Sequence, residues 1–588
     1  MPSRHLHGSS AVLLALFALA GIWLLLGWAG AAMPVSANSG TLYVAPSGVN
    51  NPVCSSSQPC QTLQHAVDLA AGGDTIKVAA GQYTGVSSRS NPYEGGTVTQ
   101  VVYISKTVII RGGYTSAFSE PPNPDVNATI FNAQQQGRVF HVFGNIAPMF
   151  EGLRLTGGRA PATLSFGGGV YVDQAAARLS KCHIYGNEAE MGGGIRLESS
   201  STVLEANSVY SNTALADGGG VYVNHSNGAK LIGNTIFTNT AGHHGGGVYV
   251  SFSAAALNNN AVLSNTTVED GGGLAIAGSA ATLSGNRIAA NFAGYGGGGL
   301  WLIQSAAMVN GNAVLSNTAT TDGAGVYVLF GNGAMLNGNM VTGNTAGRTG
   351  GGFFVDRSAA TIAWNTVLAN TAGDRGGGMN LSDSQTSLSQ NLVLSNTSAY
   401  DGGGLYLDVN PMITLTNMII ADNRINNGEG SGLYIQGSSA RFVHTTLARN
   451  TGGSGRGIHV TEYLGNPSHS NITLTNTILV NQTVGVYVTS GNTVTLESTL
   501  WNGNGANTGG AGTINIGANN YTGNPLFEVD GYHILTGSAA IDKGIDAGIK
   551  NDIDPEPRPY LAPDLGADEY WAPGALHKIY LPLTLKTL

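Results

Sequence analysis

Asp374, Arg375, Asp401 and Glu429 are the residues whose types and spacing best suit acid–base chemistry. Each stands just before a glycine cluster, and the clusters recur every 25 to 28 residues, so three successive repeats place carboxylates around one guanidinium. Carboxyls about 5–5.5 Å apart serve retaining glycoside hydrolysis, and carboxyls about 6.5–9.5 Å apart serve the inverting kind. Strands stack about 4.8 Å apart, so neighbouring or next-but-one repeats can supply either separation. The competing reading is a set of solvated charges at loop tips. A second set suits binding: Tyr222, Tyr249, Trp301, Tyr327, Phe354 and Tyr406 recur at one position of the repeat, with Asp270 and Asp322 just before glycine clusters. A row of rings can stack on sugar faces or on itself.

To gather such residues, the chain must repeat in space as it does in sequence. ADGGGVYV at 216–223 recurs down most of the molecule, with clusters centred near Gly167, Gly192, Gly218, Gly245, Gly271, Gly296, Gly323, Gly350, Gly376 and Gly402, fading to GSG and GRG. Each cluster precedes a short alternation such as GVYV, then a polar turn, then a segment like LIGNTIFTNTAG. These are strand patterns without a 3.6-residue apolar face, which excludes the leucine-rich repeat. Aspartates precede the glycines rather than follow them, which excludes the calcium-binding nonapeptide helix. The remaining solution is an all-β, right-handed parallel β-helix of about 13 coils, with a period of ~26 residues and a cap at each end. Glycines at its corners permit positive φ and close stacking of backbone on backbone. Asn207, Asn234, Asn260 and their successors form one column, and Asn212, Asn239, Asn265 another. Stacked amides pass hydrogen bonds along the column, so these asparagines are assigned to structure.

The middle residue of the strand after each cluster runs Tyr171, Arg196, Tyr222, Tyr249, Ala275, Trp301, Tyr327, Phe354, Asn380, Tyr406, Tyr434, His459, Tyr487. Arg196, Asn380 and His459 are poor core residues, so the column is expected to face solvent. It reads as a stabilising aromatic ladder, as a platform for sugar rings, or as both. Beside it lies the column Asp217, His244, Asp270, Tyr295, Asp322, Thr349, Arg375, Asp401, Glu429. Acids on adjacent coils repel by about 3.5 kcal/mol at an effective dielectric of 20, so the alternation from Asp217 to Thr349 is what stability alone selects. His243-His244 lacks a third ligand and NDIDPE lacks the glycine and distal glutamate of an EF-hand, so no metal site is assigned.

Only 10% of the chain is charged, the formal charge is -9, and between Pro161 and Leu500 the lysines are Lys181 and Lys230 alone. No basic stripe exists to neutralise phosphates, which excludes nucleic acid as a partner. Arg4, the apolar run Ala11–Trp28 and the small residues around Ala37 predict a cleaved export signal over 1–37, with a retained anchor as the alternative. Cys54 and Cys60 are close enough to pair in an oxidising compartment, and Cys182 is expected to be a buried apolar residue. TLQHAVDLAA is a short amphipathic helix that can cover the first coil. The expected segments are a signal at 1–37, an entry cap with first coils at 38–160, regular coils at 161–500, closing coils and cap at 501–570, and a tail at 571–588.

With these repeats, the chain resembles the right-handed parallel β-helix, or pectate-lyase-like, superfamily. The alternation of GGGVYV and xxxN segments also resembles the repeats of chlamydial polymorphic outer membrane proteins, which are surface adhesins, although Phe is mostly missing before the Asn. YVAPSG…PCQTLQHAVDLAAGGDTIKVAAGQYTG resembles the opening of bacterial secreted β-helix proteins, and NPLFEVDGYHILTGSAAIDKGIDAG…PDLGADEY resembles a choice-of-anchor closing segment. The resemblance implies the fold and leaves activity open, since the superfamily holds lyases, hydrolases, adhesins and structural proteins. Its lyases hold calcium with acids and use Arg or Lys as base, a role the resemblance offers to Arg375 or Arg348. The NTD, DD and RIK set of polygalacturonases is missing. The expectation is an exported, monomeric, secreted or cell-surface β-helix presenting a long face to glycans, with no membrane span after signal removal. It requires no cofactor, although calcium is possible. The alternative is a polysaccharide lyase or glycoside hydrolase working on the same face.

Overall fold

A computed structural model describes residues 39–90, 97–160, 166–463 and 468–571. The export signal expected at 1–37 and almost all of the tail at 571–588 lie outside the described residues.

One repeat shows how sequence makes a turn of the solenoid. The strand Val221–Asn224 follows Gly218-Gly219-Gly220, a polar turn leads to Lys230–Ile232, Asn234 bends the chain into Thr235–Phe237, and Asn239 bends it into Thr240–Ala241. Each strand pairs in parallel with its counterpart one turn on, as Val221 with Val248 and Tyr222 with Tyr249. Repetition gives about 14 turns. The strands after the glycines form one sheet, the next two strands of each turn share a second, and the two-residue strands form a third of 11 strands. Val221, Val223, Leu231, Ile236 and Ala241 point inward and are buried, and the same positions in other turns extend this core along the molecule.

Each glycine of the triplet has its own reason. Gly218 has φ +67, a region that excludes most side chains. A Cβ on Gly219 would stand 2.4 Å from Thr240 O and 2.5 Å from Gly246 O, and one on Gly220 would stand 2.6 Å from Gly247 O. The first glycine is set by conformation and the other two by stacking of backbone on backbone. The asparagines behave as their columns predict: Asn234 Nδ2 donates to Asn260 Oδ1 (2.9 Å) and to Leu204 O (2.9 Å). Asn239 repeats the pattern with Asn265 and Val209. Buried at every turn, they satisfy carbonyls that the bends would otherwise orphan.

The helix Leu63–Leu69 buries Leu63, Ala66 and Val67 over the first turns, and the Thr62 hydroxyl accepts from His65 N–H at its start. Cys54 and Cys60 form a disulfide. Cys182 is fully buried, and burial pushes its thiol up to about 12. At the other end, Ile534, Ala540 and Leu565 of the closing segment pack on Ile478, Val480 and Leu500 of the last turns. No helix among the described residues is long and apolar enough to cross a membrane.

Candidate functional site: a break in the aromatic ladder

The ring column points outward but is not a solvent face. Tyr222, Trp301, Phe354 and Tyr406 are buried, while Tyr249 and Tyr327 are half-buried. The cause is the stacking distance between turns. Tyr222 and Tyr249 centroids lie 5.1 Å apart, Tyr406 and Tyr434 5.1 Å at an interplanar angle of 3°, and Tyr327 and Phe354 4.9 Å. Each ring covers its neighbours, and the segment ahead of the glycines covers their edges. The polar members are buried for related reasons. Arg196 lies between the Phe166 and Tyr222 rings, 3.9 and 4.8 Å from their centroids, and donates to Glu198 at 2.6 Å. His459 stacks between Tyr434 and Tyr487, and its burial, with Arg456 nearby, holds its pKa down at about 3. Polar residue type was therefore a poor guide to exposure in this column.

Between Tyr171 and Tyr487, two turns of the described ladder lack a large side chain, and they differ in one respect. At Ala275, the gap is filled from the preceding loop by His244, whose ring stacks 4.8 Å from Trp301 at 7° and 5.9 Å from Tyr249. His244 Nδ1 lies 3.0 Å from Asp217 Oδ1, with Asp270 at 4.0 Å from Nε2. Burial pulls its pKa down, but the hydrogen bond and charge of Asp217 outweigh that and raise it. His244 thus completes the ladder.

At Asn380, no ring fills the gap, although the Arg375 guanidinium covers the Tyr406 ring at 5.3 Å from its centroid. The strands Phe353–Asp356, Met379–Ser382 and Leu405–Asp408 align Phe354, Asn380 and Tyr406 in one row and Asp356, Ser382 and Asp408 in the next outward row. Between Phe354 and Tyr406, a groove of about 250 Å³ opens over Asn380, walled by Asp408 on one side and by Arg348, Asp374 and Arg375 on the other. Arg375 Nε lies 3.6 Å from Asp374 Oδ1 and 3.9 Å from Asp401 Oδ2, and its Nη1 donates to Tyr406 Oη at 3.3 Å. Burial raises the Asp401 carboxyl against the opposing Glu429 N–H and Arg375. Burial likewise raises Asp408. Asn380 is 4% exposed, and its Oδ1 and that of Asp408 are buried without a hydrogen-bond partner.

Of the acid set expected from sequence, Asp374, Arg375 and Asp401 come together and Glu429 does not. The Glu429 N–H donates to Asp401 Oδ1, but its carboxylate turns to Arg456 (2.7 Å) and to Ser454. Asp322 is held by Arg348 at 2.7 and 3.0 Å and by the Thr349 hydroxyl, and Asp270 accepts from Gly296 N–H. These two acids order the loops above the ladder. Asp408 was missed, although it stands two residues after Tyr406 and strand alternation puts both on one face. A larger hollow of about 520 Å³ lies beside the first helix, near Asp68 and Tyr83. Asp68 there is already paired with Arg89, so the ladder break is the better candidate.

Among the described residues, the ligand atoms of His533, Asp554 and Asp568 lie within 4.8 Å of one another in the closing segment, while the Cys54, Cys60 and His65 group has its sulfurs tied in the disulfide. His533 is held between Asp530 and Asp554, which accounts for the cluster as an ion-pair network.

The description "Right handed beta helix region" matches residues 127–288, 168–346 and 258–417 in overlapping stretches, the part of the chain where ladder, asparagine columns and glycine corners are most regular. Over residues 127–417 the chain matches this right-handed β-helix family, in keeping with the parallel β-solenoid seen there. This β-helix is similar to the solved pectate lyase Pel9A at 12% identity, over 90% of this chain and 96% of that one, with a TM-score of 0.26. It is similar to the periplasmic alginate epimerase AlgG at 9% identity, over 74% and 93%, with a TM-score of 0.30. A GH87 α-1,3-glucanase from Streptomyces thermodiastaticus matches at 14% identity, over 83% and 70%, with a TM-score of 0.26. Likenesses this distant carry no argument about activity. No curated protein matches the chain in sequence.

Proposed function

We propose that this β-helix is an exported, secreted or surface-held protein that binds polysaccharide, engaging a sugar residue in the groove over Asn380. The observation that carries this reading is the pair of buried acceptors, Asn380 Oδ1 and Asp408 Oδ1, left unpartnered in a groove between two aromatic side chains. Buried acceptors without partners each cost about 1–3 kcal/mol, and a hydroxyl-rich ligand supplies the missing donors. Phe354 and Tyr406 line the groove but are themselves buried, and the Arg375 guanidinium lies 5.3 Å from the Tyr406 ring centroid, so recognition there rests on hydrogen bonds rather than on ring stacking. The N-terminal apolar run, the disulfide and the choice-of-anchor resemblance support export.

Catalysis is the second reading, favoured by one observation: burial raises the Asp401 carboxyl beside Arg375, which suits a general acid. Against it, Asp374 and Asp401 both face the same guanidinium, so neither carboxyl is free to meet a glycosidic oxygen. The test is to incubate the chain from Asn38 onward with acidic and neutral polysaccharides, with and without calcium, following retention, reducing ends and unsaturated products. Retention without new ends supports binding. New ends that vanish in Asp374→Asn or Asp401→Asn would make the protein an enzyme.

A further inference from the structure

The groove's donors and acceptors say which sugars it takes, provided that glycan binding at the groove, as proposed above, holds. A uronate needs a cation free to meet its carboxylate, and the two arginines here are committed: Arg348 to Asp322 in a two-point contact, and Arg375 to Asp374, Asp401 and Tyr406. Asp408 faces the same space with an unpartnered oxygen, so an incoming carboxylate meets an anion. Two acceptors in the groove have no donor. Asn380 Oδ1, on a side chain 4% exposed, and Asp408 Oδ1 both wait for an O–H. They belong to adjacent turns, with Asn380 directly beneath Tyr406 in register and Asp408 two residues beyond it. This spacing suits two hydroxyls on one ring rather than one hydroxyl shared.

We propose that the groove is a subsite for an uncharged hexose, which donates one hydroxyl to Asn380 Oδ1 and another to Asp408 Oδ1, and that it discriminates against uronates.

Affinity electrophoresis of the chain from Asn38 onward tests this, through gels holding a neutral glucan, a neutral mannan, polygalacturonate or alginate. The expected result is retardation by a neutral polysaccharide and little or none by the two polyuronates. Asn380→Ala and Asp408→Ala should each weaken neutral binding about tenfold, the effect of losing one hydrogen bond. Asn380→Tyr restores the ladder residue found at Tyr406 and Tyr434, so it should unfold no more easily than the parent while abolishing neutral binding. Tighter binding of polyuronate than of neutral glycan would overturn the specificity and leave glycan binding standing. Neutral binding that survives Asn380→Tyr would overturn the location. A parent chain retarded by none of the four would overturn the glycan reading itself.

Discussion

Single residues in this molecule are governed by the stacking distance between turns, and their behaviour follows from what each meets one turn away. Gly219→Ala should destabilise by several kcal/mol, because its Cβ would press on two carbonyl oxygens at 2.4 and 2.5 Å. Gly233→Ala should cost only about 1 kcal/mol, because φ +62 is its sole obstacle and nothing lies within 4 Å of a Cβ there. Urea denaturation of the two variants checks the contrast. Asn265→Ala leaves Ile236 O and the Asn239 N–H and amide without their partner, so it should lose about 2–5 kcal/mol. Isosteric Asn265→Leu should fare no better, since the loss is of hydrogen bonds and not volume. The columns of asparagine and glycine were legible in sequence because each repeats with the period of the fold. Burial of the rings was not legible, because Arg196 and His459 look like surface residues until their aromatic neighbours are placed 3.9 to 5.5 Å away.

Elements show where the regular solenoid gives way to something less repetitive. The closing segment buries Asp552, Asp564 and Asp568 with Arg558 and Glu569, and burial, with repulsion from neighbouring carboxylates second, raises the three aspartates to about 7, 7 and 6 from 3.8. Folded-state values above the unfolded ones mean that folding takes up protons. The stabilisation is complete below about pH 3.8 and is lost as pH rises through 6 to 7. His533, raised to about 10 from 6.5 by Asp554, Asp568 and Asp530 against burial, acts in the same direction, its contribution fading between those values. Hydrogen exchange over residues 524–570, corrected for intrinsic rate, should therefore show a cap better protected at pH 5 than at pH 8.5. Equal protection at both would contradict these assignments. That a cap exists was legible from the non-repeating composition after Asn524, but its charge network was not. Asp552, Arg558, Asp564 and Asp568 meet only through long-range folding, and no period ties them together.

The whole molecule is built on a ladder of stacked side chains, and two breaks between Tyr171 and Tyr487 distinguish structure from function. Where Ala275 interrupts the rings, His244 closes the gap; where Asn380 interrupts them, a groove stays open with two acceptors unpaired. Sequence reasoning found Asp374, Arg375 and Asp401 because like charges crowd there against the alternating pattern. It missed Asp408 because that residue belongs to a neighbouring row whose members vary freely from turn to turn. His244→Ala should destabilise by about 1–3 kcal/mol by opening a gap between Tyr249 and Trp301, read as a lower denaturation midpoint, and should leave glycan retention unchanged. The central claim is that the open gap over Asn380 receives the sugar. The most direct test is hydrogen-exchange footprinting of the chain from Asn38 onward with and without an oligosaccharide of whichever polysaccharide retains it. The account predicts slowed exchange confined to residues 348–354, 374–382 and 405–408, and protection that lies elsewhere, or that persists unchanged in Asn380→Tyr, would contradict it.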